Sequence, residues 1–163
     1  MLLAHLGYTV VAVSGKPEQH DFLRSIGASD VQAREVLQAG AERPLLAETY
    51  GAVVDTVGGD MLFNALKSLK YGCSLAACGL VASPQIPSAT VLPFILRHVN
   101  LLGIDSVQLP LAEKSRIWSK LADVWFLPNL EQLERSLTLE DLSDALDTIL
   151  AGNMVGRGVV ALT

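Results

Sequence analysis

The sequence is poor in the residues that build metal centres and disulfide frameworks. Its 163 residues include 2 cysteines and 3 histidines. Cys73 and Cys78 are too few for a disulfide framework, and the alternation of a strand would point them to opposite faces. The histidines are scattered, and no cysteines have the spacing of a zinc finger. We therefore expect no metal site, a small buried hydrophobic role for Cys78, and a reduced, cytoplasmic location.

Long apolar runs and a strong positive charge are also missing. No run approaches the roughly 18 apolar residues that a transmembrane helix needs, and the first residues lack the basic region and cleavage site of a signal peptide. The net charge of −5 at pH 7 gives no support to nucleic acid or an anionic membrane as a partner. Half of the residues are apolar and 18% are charged, which is typical of a globular protein rather than a disordered one.

Short apolar strands bounded by glycine alternate with helical patterns along the chain. Ala52–Val57 and Leu75–Cys78 flank one such helix and predict a βαβ unit whose strands are buried on both faces. Thr9–Val13 is a further strand, and we expect these three to run in the same direction within one sheet. The pattern predicts a doubly wound α/β fold. Ligands of such folds bind beyond the carboxyl ends of the strands.

The turn Ser14-Gly15-Lys16 carries the most chemical information. In a dinucleotide-binding fold, the end of the second strand meets the adenosine ribose, where a carboxylate binds the 2′-hydroxyl of NAD but would repel the 2′-phosphate of NADP. Here the chain offers a hydroxyl, a glycine and a cation, with no acid before Glu18. These groups suit a phosphate. The alternative is an ordinary turn with a solvated lysine.

The run Asp55–Gly59 has mainly structural interpretations. Asp55 is expected to be a hydrogen-bonded structural carboxylate, and Asp60 is a candidate helix N-cap. Gly58 and Gly79 allow tight turns and could also let a ligand approach the backbone. No G-x-G-x-x-G occurs in the sequence, so the usual pyrophosphate-binding turn is missing from it.

Taken together, several blocks resemble the medium-chain dehydrogenase/reductase superfamily: LGYTVVAVSGK, SIGAS, AVVDTVGG, CGL, PFILRHVNLLGIDSV and GNMVGRGVV. They are most similar to its zinc-independent, quinone-oxidoreductase-like branch, which includes NADPH-dependent acrylyl-CoA reductases. The resemblance covers essentially the whole chain. It implies a Rossmann-like, mostly parallel sheet, NADPH as cofactor, and hydride transfer to a small-molecule acceptor, either an activated alkene such as acrylyl-CoA or a quinone-like compound.

The resemblance also implies roles for particular residues. Ser14, Gly15 and Lys16 match the segment that holds the 2′-phosphate, and Leu80 matches a residue lining the nicotinamide half of the cofactor. Ile95, Ser106 and Asn153 match further cofactor contacts. No catalytic residue is assigned.

Members of the family begin with a β-rich catalytic domain, followed by the first strand and the glycine loop of the cofactor domain. By this comparison the sequence starts inside the first helix, so that Met1 is an artificial boundary, an internal start or the result of a disrupted reading frame. Residues 1–128 then form a partial NADP-binding domain, and residues 129–163 form a helix and strand that pack with the catalytic domain. We expect negligible catalysis from this portion alone.

The strand order 3-2-1-4-5-6 of such folds places the first strand in the middle of the sheet. Without it, two strand edges are unpaired, which is unfavourable for buried backbone groups. A swapped segment of another copy or the run Gly158–Leu162 could fill this slot, or it could stay open.

The resemblance also implies a homodimer through the outer strand Val99–Val107. As an alternative to being part of an oxidoreductase, the chain could be a non-catalytic interaction domain. A methyltransferase is disfavoured because Lys16 stands where an acidic residue would bind the ribose.

Overall fold

The computed structural model describes residues 1–162 and shows an alternating α/β chain. The helices are α1 (Leu2–His5), α2 (His20–Ser25), α3 (Gly59–Lys67), α4 (Leu92–Arg97), α5 (Leu111–Ala122) and α6 (Leu142–Leu150), with short 3₁₀ helices at Pro17–Gln19, Arg34–Leu37 and Leu130–Leu133. The strands are β1 (Val11–Ser14), β2 (Asp30–Ala33), β3 (Tyr50–Asp55), β4 (Leu69–Ala77), β5 (Asn100–Gly103), β6 (Glu134–Leu137) and β7 (Arg157–Val160).

Every strand pair within residues 1–162 is parallel, which confirms the predicted fold class. The strands form three separate sheets, with orders β1-β2, β3-β4-β5 and β6-β7. The prediction that Thr9–Val13 shares one sheet with Ala52–Val57 and Leu75–Cys78 is therefore wrong. In a doubly wound sheet one strand lies between the counterparts of β1 and β3, and residues 1–162 supply none there.

The last strand does not fill the central slot. Val159 and Val160 of β7 lie beside Ser136 and Leu137 of β6 in a parallel pair. The hypothesis that Gly158–Leu162 inserts between β1 and β3 is therefore wrong, because this segment pairs with β6 instead. The sequence patterns did not predict β6. Among the described residues, β1 and β3 each pair with another strand along one edge only.

The chain divides into two compact units, one comprising Leu3–Trp118 and the other beginning at Ser119. In the first unit the core forms where α3 packs on β4. Phe63 and Leu66 of α3 and Leu69 and Leu75 of β4 are at most 2% exposed, and Val99 joins them from the segment before β5. The hydrophobic effect of this burial is what holds α3 on the sheet.

The three-stranded sheet is covered on one face only in the described chain. Val53 and Leu75 are paired neighbours on the face that meets the core, whereas Val54, Ala76 and Leu102 share the opposite face. Val54 is 62% exposed and Leu102 is 47% exposed. The prediction of strands buried on both faces is therefore wrong for β3.

Short-range hydrogen bonds mark the end of α1 and the approach to α6. Gly7 has a φ of +85° and its N–H donates to the Ala4 carbonyl at the end of α1. Ahead of α6, the Thr138 N–H and hydroxyl both donate to Asp141 Oδ2 at 2.9 Å, and the Asp141 N–H donates back to Thr138 Oγ1. This reciprocal pair has the hydrogen-bond pattern of a capping box, in the turn that precedes the first residue of α6, Leu142. The strand predicted at Val99–Val107 is shorter, comprising Asn100–Gly103.

Candidate functional site

The carboxyl ends of β1 and β2 lie side by side and carry the predicted phosphate-binding turn. Ser14 is the last residue of β1 and is paired with Ala33, the last residue of β2. Ser14 Oγ accepts a hydrogen bond from the Lys16 N–H at 3.1 Å, which fixes the chain as it leaves the strand. The structure thus places Ser14, Gly15 and Lys16 together at the sheet edge where parallel α/β folds bind ligands.

A second cation, Arg34, lies at the same turn. It directly follows Ala33, and its side chain covers Gly15: a Cβ added to Gly15 would be 2.6 Å from Arg34 Nε and 2.8 Å from Cζ. Gly15 has no positive φ, so space rather than backbone conformation requires a glycine here. Sequence reasoning missed Arg34, because only the pairing register brings it beside Ser14 and Gly15.

The carboxyl end of β3 is organised by Asp55, as predicted. The residue is 8% exposed, and its Oδ2 accepts hydrogen bonds from the N–H groups of Val57 at 3.2 Å and Gly58 at 2.8 Å. The Asp55 carbonyl accepts from the Cys78 N–H at 2.9 Å, which connects this turn to the end of β4. Both carboxylate bonds stay within the turn, which confirms a structural role for Asp55.

Gly58 and Gly79 let the chain pack against itself at these strand ends. A Cβ on Gly79 would be 2.8 Å from the Thr56 carbonyl carbon, and one on Gly58, whose φ is +74°, would collide with the Ser83 carbonyl oxygen. The protein's own backbone occupies the space that a side chain would need at both positions, so close packing by itself requires the two glycines.

The remaining predicted contacts are spread over several elements. Leu80, 63% exposed, follows β4, and Ser106 is exposed in the loop after β5. Because β4 and β5 are parallel neighbours, with the Ile104 N–H donating to Ala77 at 3.0 Å, both residues follow strands that end at one edge. Ile95 is exposed on α4. Asn153 belongs to the second unit, where its N–H donates to Thr148 at the end of α6.

Two smaller predictions need correction. Asp60 is not the N-cap of α3, because the helix begins at Gly59; its Oδ1 instead accepts hydrogen bonds from the Ser88 N–H and hydroxyl, at 3.2 and 2.6 Å. Cys78 is exposed rather than buried, since β4 ends at Ala77 and Cys78 lies just beyond it.

A cleft of about 340 Å³ runs beside the start of α3. Gly59, Met61 and Asn64 line it from α3, while Leu37 lines it from the 3₁₀ helix after β2 and Ala82 from the loop after β4. The Asn64 amide donates to the Leu37 carbonyl at 2.8 Å, while its buried Oδ1 has no hydrogen-bond partner within residues 1–162. The lining of the cleft is largely apolar.

Residues 1–162 contain no group of three or more histidine, cysteine or acidic side chains able to hold a metal ion. The described residues therefore do not fit a zinc site. None of the helices in this described part is long and apolar enough to cross a bilayer.

Comparison with known proteins gives matches that agree on one family. A family model described as zinc-binding dehydrogenase matches residues 1–123. The acrylyl-CoA reductase of Ruegeria pomeroyi is 47% identical over 159 residues, which cover 98% of this chain and 48% of that protein. The chain thus spans about half the length of the curated relatives it matches.

Two solved structures agree closely with the fold. The YhdH protein of Escherichia coli K-12 with bound NADPH matches with a TM-score of 0.93 and 36% identity over 99% of this chain and 49% of that one. The Bacillus subtilis protein yhfP with bound NAD matches with a TM-score of 0.93 and 38% identity over the same shares of the two chains.

Proposed function

Because the chain belongs to the zinc-binding dehydrogenase family, the cofactor-binding part of the medium-chain dehydrogenase/reductase superfamily, we propose that it binds NADPH. The parent reaction is hydride transfer to an activated alkene such as acrylyl-CoA, as in the relative from Ruegeria pomeroyi, or to a quinone-like acceptor. The bound nicotinamide supplies the hydride. The residues of this chain bind and orient the cofactor, and none is assigned a catalytic role.

The observation that carries this proposal is the turn at the end of β1. Ser14 and the Gly15 N–H can donate to a phosphate oxygen, and Lys16 supplies a positive charge, with no acidic side chain before Glu18. This donor set fits a phosphate monoester at the sheet edge. Leu80, Ile95, Ser106 and Asn153 are proposed as further contacts along the cofactor.

The chain corresponds to only part of a complete enzyme of this family. Residues 1–128 are proposed to belong to the NADP-binding domain, and residues 129–163 to pack with a catalytic domain that contacts the acceptor. Since the match covers 48% of the Ruegeria pomeroyi relative, we expect this chain alone to bind dinucleotide but to reduce acrylyl-CoA negligibly. Localisation in the cytoplasm belongs to the same proposal.

Equilibrium binding tests the cofactor assignment. The affinities of the chain for NADPH and NADH are measured by calorimetry, alongside Lys16→Met and, as a matched control, Lys70→Met on the exposed part of β4. We expect NADPH to bind more tightly than NADH and Lys16→Met to lose about tenfold for NADPH only, the loss typical of one charged contact. Equal affinity for both cofactors in the unmodified chain would contradict the assignment.

Two further features favour a second candidate function, a non-catalytic interaction domain. In the described residues β1 and β3 each have an unpaired edge, and the sheet face carrying Val54 and Leu102 is exposed. Such edges and apolar faces associate readily. Self-association without measurable binding of either dinucleotide would favour this candidate. A homodimer through Val99–Val107 is compatible with both candidates.

A further inference from the structure

The loop of residues 81–91 lies between two of the proposed cofactor contacts. Leu80 precedes the loop at the end of β4, and Ile95 follows it on α4. Both side chains are mostly exposed. The path of the loop therefore decides where these two apolar side chains stand relative to one another at the edge of the sheet.

The first residues of this loop are held by main-chain contacts with the turn after β3. The Ala82 N–H donates to the Val57 carbonyl at 2.9 Å, and Ser83 forms an isolated parallel bridge with Gly58. These contacts fix the chain just after Leu80. They do not extend to the second half of the loop, which leads to α4.

The second half of the loop is held by the carboxylate of Asp60. The Ser88 N–H and hydroxyl both donate to Asp60 Oδ1, at 3.2 and 2.6 Å. Hydrogen bonds to a charged acceptor are stronger than neutral ones. Pro84 and Pro87 also restrict the backbone of this loop, so one attachment point limits the path of several neighbouring residues. Asp60 thus ties the loop to the first turn of α3.

We infer that Asp60 is a positioning residue for the nicotinamide half of the cofactor. Through Ser88 it holds loop 81–91 in the path that keeps Leu80 and Ile95 in place for the dinucleotide. The inference rests on the proposed function, since it concerns the same cofactor. The carboxylate acts through the loop, because its Oδ1 is engaged by Ser88.

This role separates the two halves of the cofactor. The proposed phosphate contacts belong to the turn after β1, which is in a different sheet from β4. The fragment 2′,5′-ADP carries the adenosine and both of its phosphates but lacks the nicotinamide. Loss of Asp60 should therefore weaken the binding of NADPH and leave the binding of 2′,5′-ADP unchanged. A general loss of structure would weaken both.

Calorimetry on the full 163-residue chain with NADPH and 2′,5′-ADP tests the inference. The variants are Asp60→Ala and Ser88→Ala, with Ser88→Thr to restore the hydroxyl. Asp144→Ala is the control, because Asp144 is an exposed aspartate in the first turn of α6. We expect Asp60→Ala to weaken NADPH about three- to tenfold, a modest loss because Asp60 is exposed.

The other variants give the pattern that a shared contact requires. Ser88→Ala should weaken NADPH in the same direction, and Ser88→Thr and Asp144→Ala should stay within about twofold of the unmodified chain. The double variant of Asp60→Ala and Ser88→Ala should bind NADPH no more weakly than Asp60→Ala alone, because both substitutions remove one contact. In every variant 2′,5′-ADP should change less than about twofold.

The outcomes separate this inference from the proposed function. If the unmodified chain binds NADPH and Asp60→Ala weakens both probes equally or neither, the positioning role is overturned while the cofactor assignment stands. If the unmodified chain does not bind NADPH, both are overturned. Should Asp60→Ala melt well below Asp144→Ala, Ser88→Ala decides the question, because it changes only a loop side chain. A selective loss of NADPH binding in that variant supports the inference, and unchanged binding overturns it.

Discussion

Arg97 donates its guanidinium to the main-chain carbonyl of Lys67 at 2.8 Å, and the Lys67 ammonium in turn donates to the carbonyls of Ala41 and Arg43 at 2.8 and 2.9 Å. A second donor of Arg97 reaches the Leu46 carbonyl at 2.6 Å. Two cations thus bind the backbone of the loop before β3 to the end of α3. Neither takes part in the candidate site.

Replacing Lys67 should destabilise the first unit. The residue is 2% exposed, and Lys67→Met removes both hydrogen bonds while keeping most of the side-chain volume. We expect a loss of about 1–3 kcal/mol in the free energy of unfolding, because carbonyls that were paired lose their donor. Denaturant unfolding followed by circular dichroism measures the change.

Lys70→Met is the matched control, since Lys70 is an exposed lysine three residues further along. It should change the free energy of unfolding by less than about 0.5 kcal/mol. If the two substitutions lowered the free energy of unfolding equally, the hydrogen bonds of Lys67 would not contribute to stability.

The stability contributed by Lys67 should depend on alkaline pH. Burial lowers the pKa of Lys67 below its ordinary 10.5, against the opposing effect of Glu42 and Asp60. Between the folded pKa and the unfolded value of 10.5, the unfolded state binds more protons than the folded state. The contribution of Lys67 to the free energy of unfolding therefore rises with pH up to 10.5, and it is lost when the pH is lowered through the folded pKa. The stability difference between the unmodified chain and Lys67→Met should therefore widen from neutral pH towards 10.5. A narrowing difference would contradict the direction of this pKa shift.

Gly79→Ala should be destabilising although Gly79 has an ordinary backbone conformation. Its Cβ would be 2.8 Å from two backbone atoms of Thr56, and rigid backbone cannot move aside as a flexible side chain can. We expect a cost of about 1–3 kcal/mol, as for overpacking. Gly103→Ala is the control, because its Cβ meets nothing within 4 Å. Thermal unfolding of both variants measures the difference, and equal midpoints would refute the close contact.

The proposed homodimer depends on the edge of β5 that pairs with no strand among residues 1–162. Hydrogen-bond donors alternate between the two sides of a strand, and the Ile104 N–H points to Ala77 on β4. The Gly103 N–H therefore points away from β4. Gly103→Pro removes this outward donor and should convert a dimer into a monomer without breaking the bond from Ile104.

Light scattering after gel filtration measures the mass of Gly103→Pro and of Gly103→Ala, which keeps the donor. A dimeric Gly103→Pro, or an unmodified chain that is monomeric at micromolar concentration, would exclude this interface.

Sequence patterns predicted the elements with local causes. The strand ending at Ser14 and the turn held by Asp55 each depend on residues a few positions apart. Cys78 and Asp60 were predicted wrongly, because their surroundings depend on where β4 ends and where α3 begins. β4 ends at Ala77, one residue before Cys78, and the N-cap of α3 is Gly58, two residues before Asp60.

By itself the sequence determined the alternating parallel α/β pattern, the family, and the polar turn Ser14-Gly15-Lys16, since all of these follow from local patterns and short motifs. Only the tertiary structure decided that β7 joins β6, that the strands divide into separate sheets, and that Arg34 covers Gly15. The physical reason is register: which residues stand opposite one another across two strands depends on hydrogen bonds between distant segments, and no local pattern encodes it.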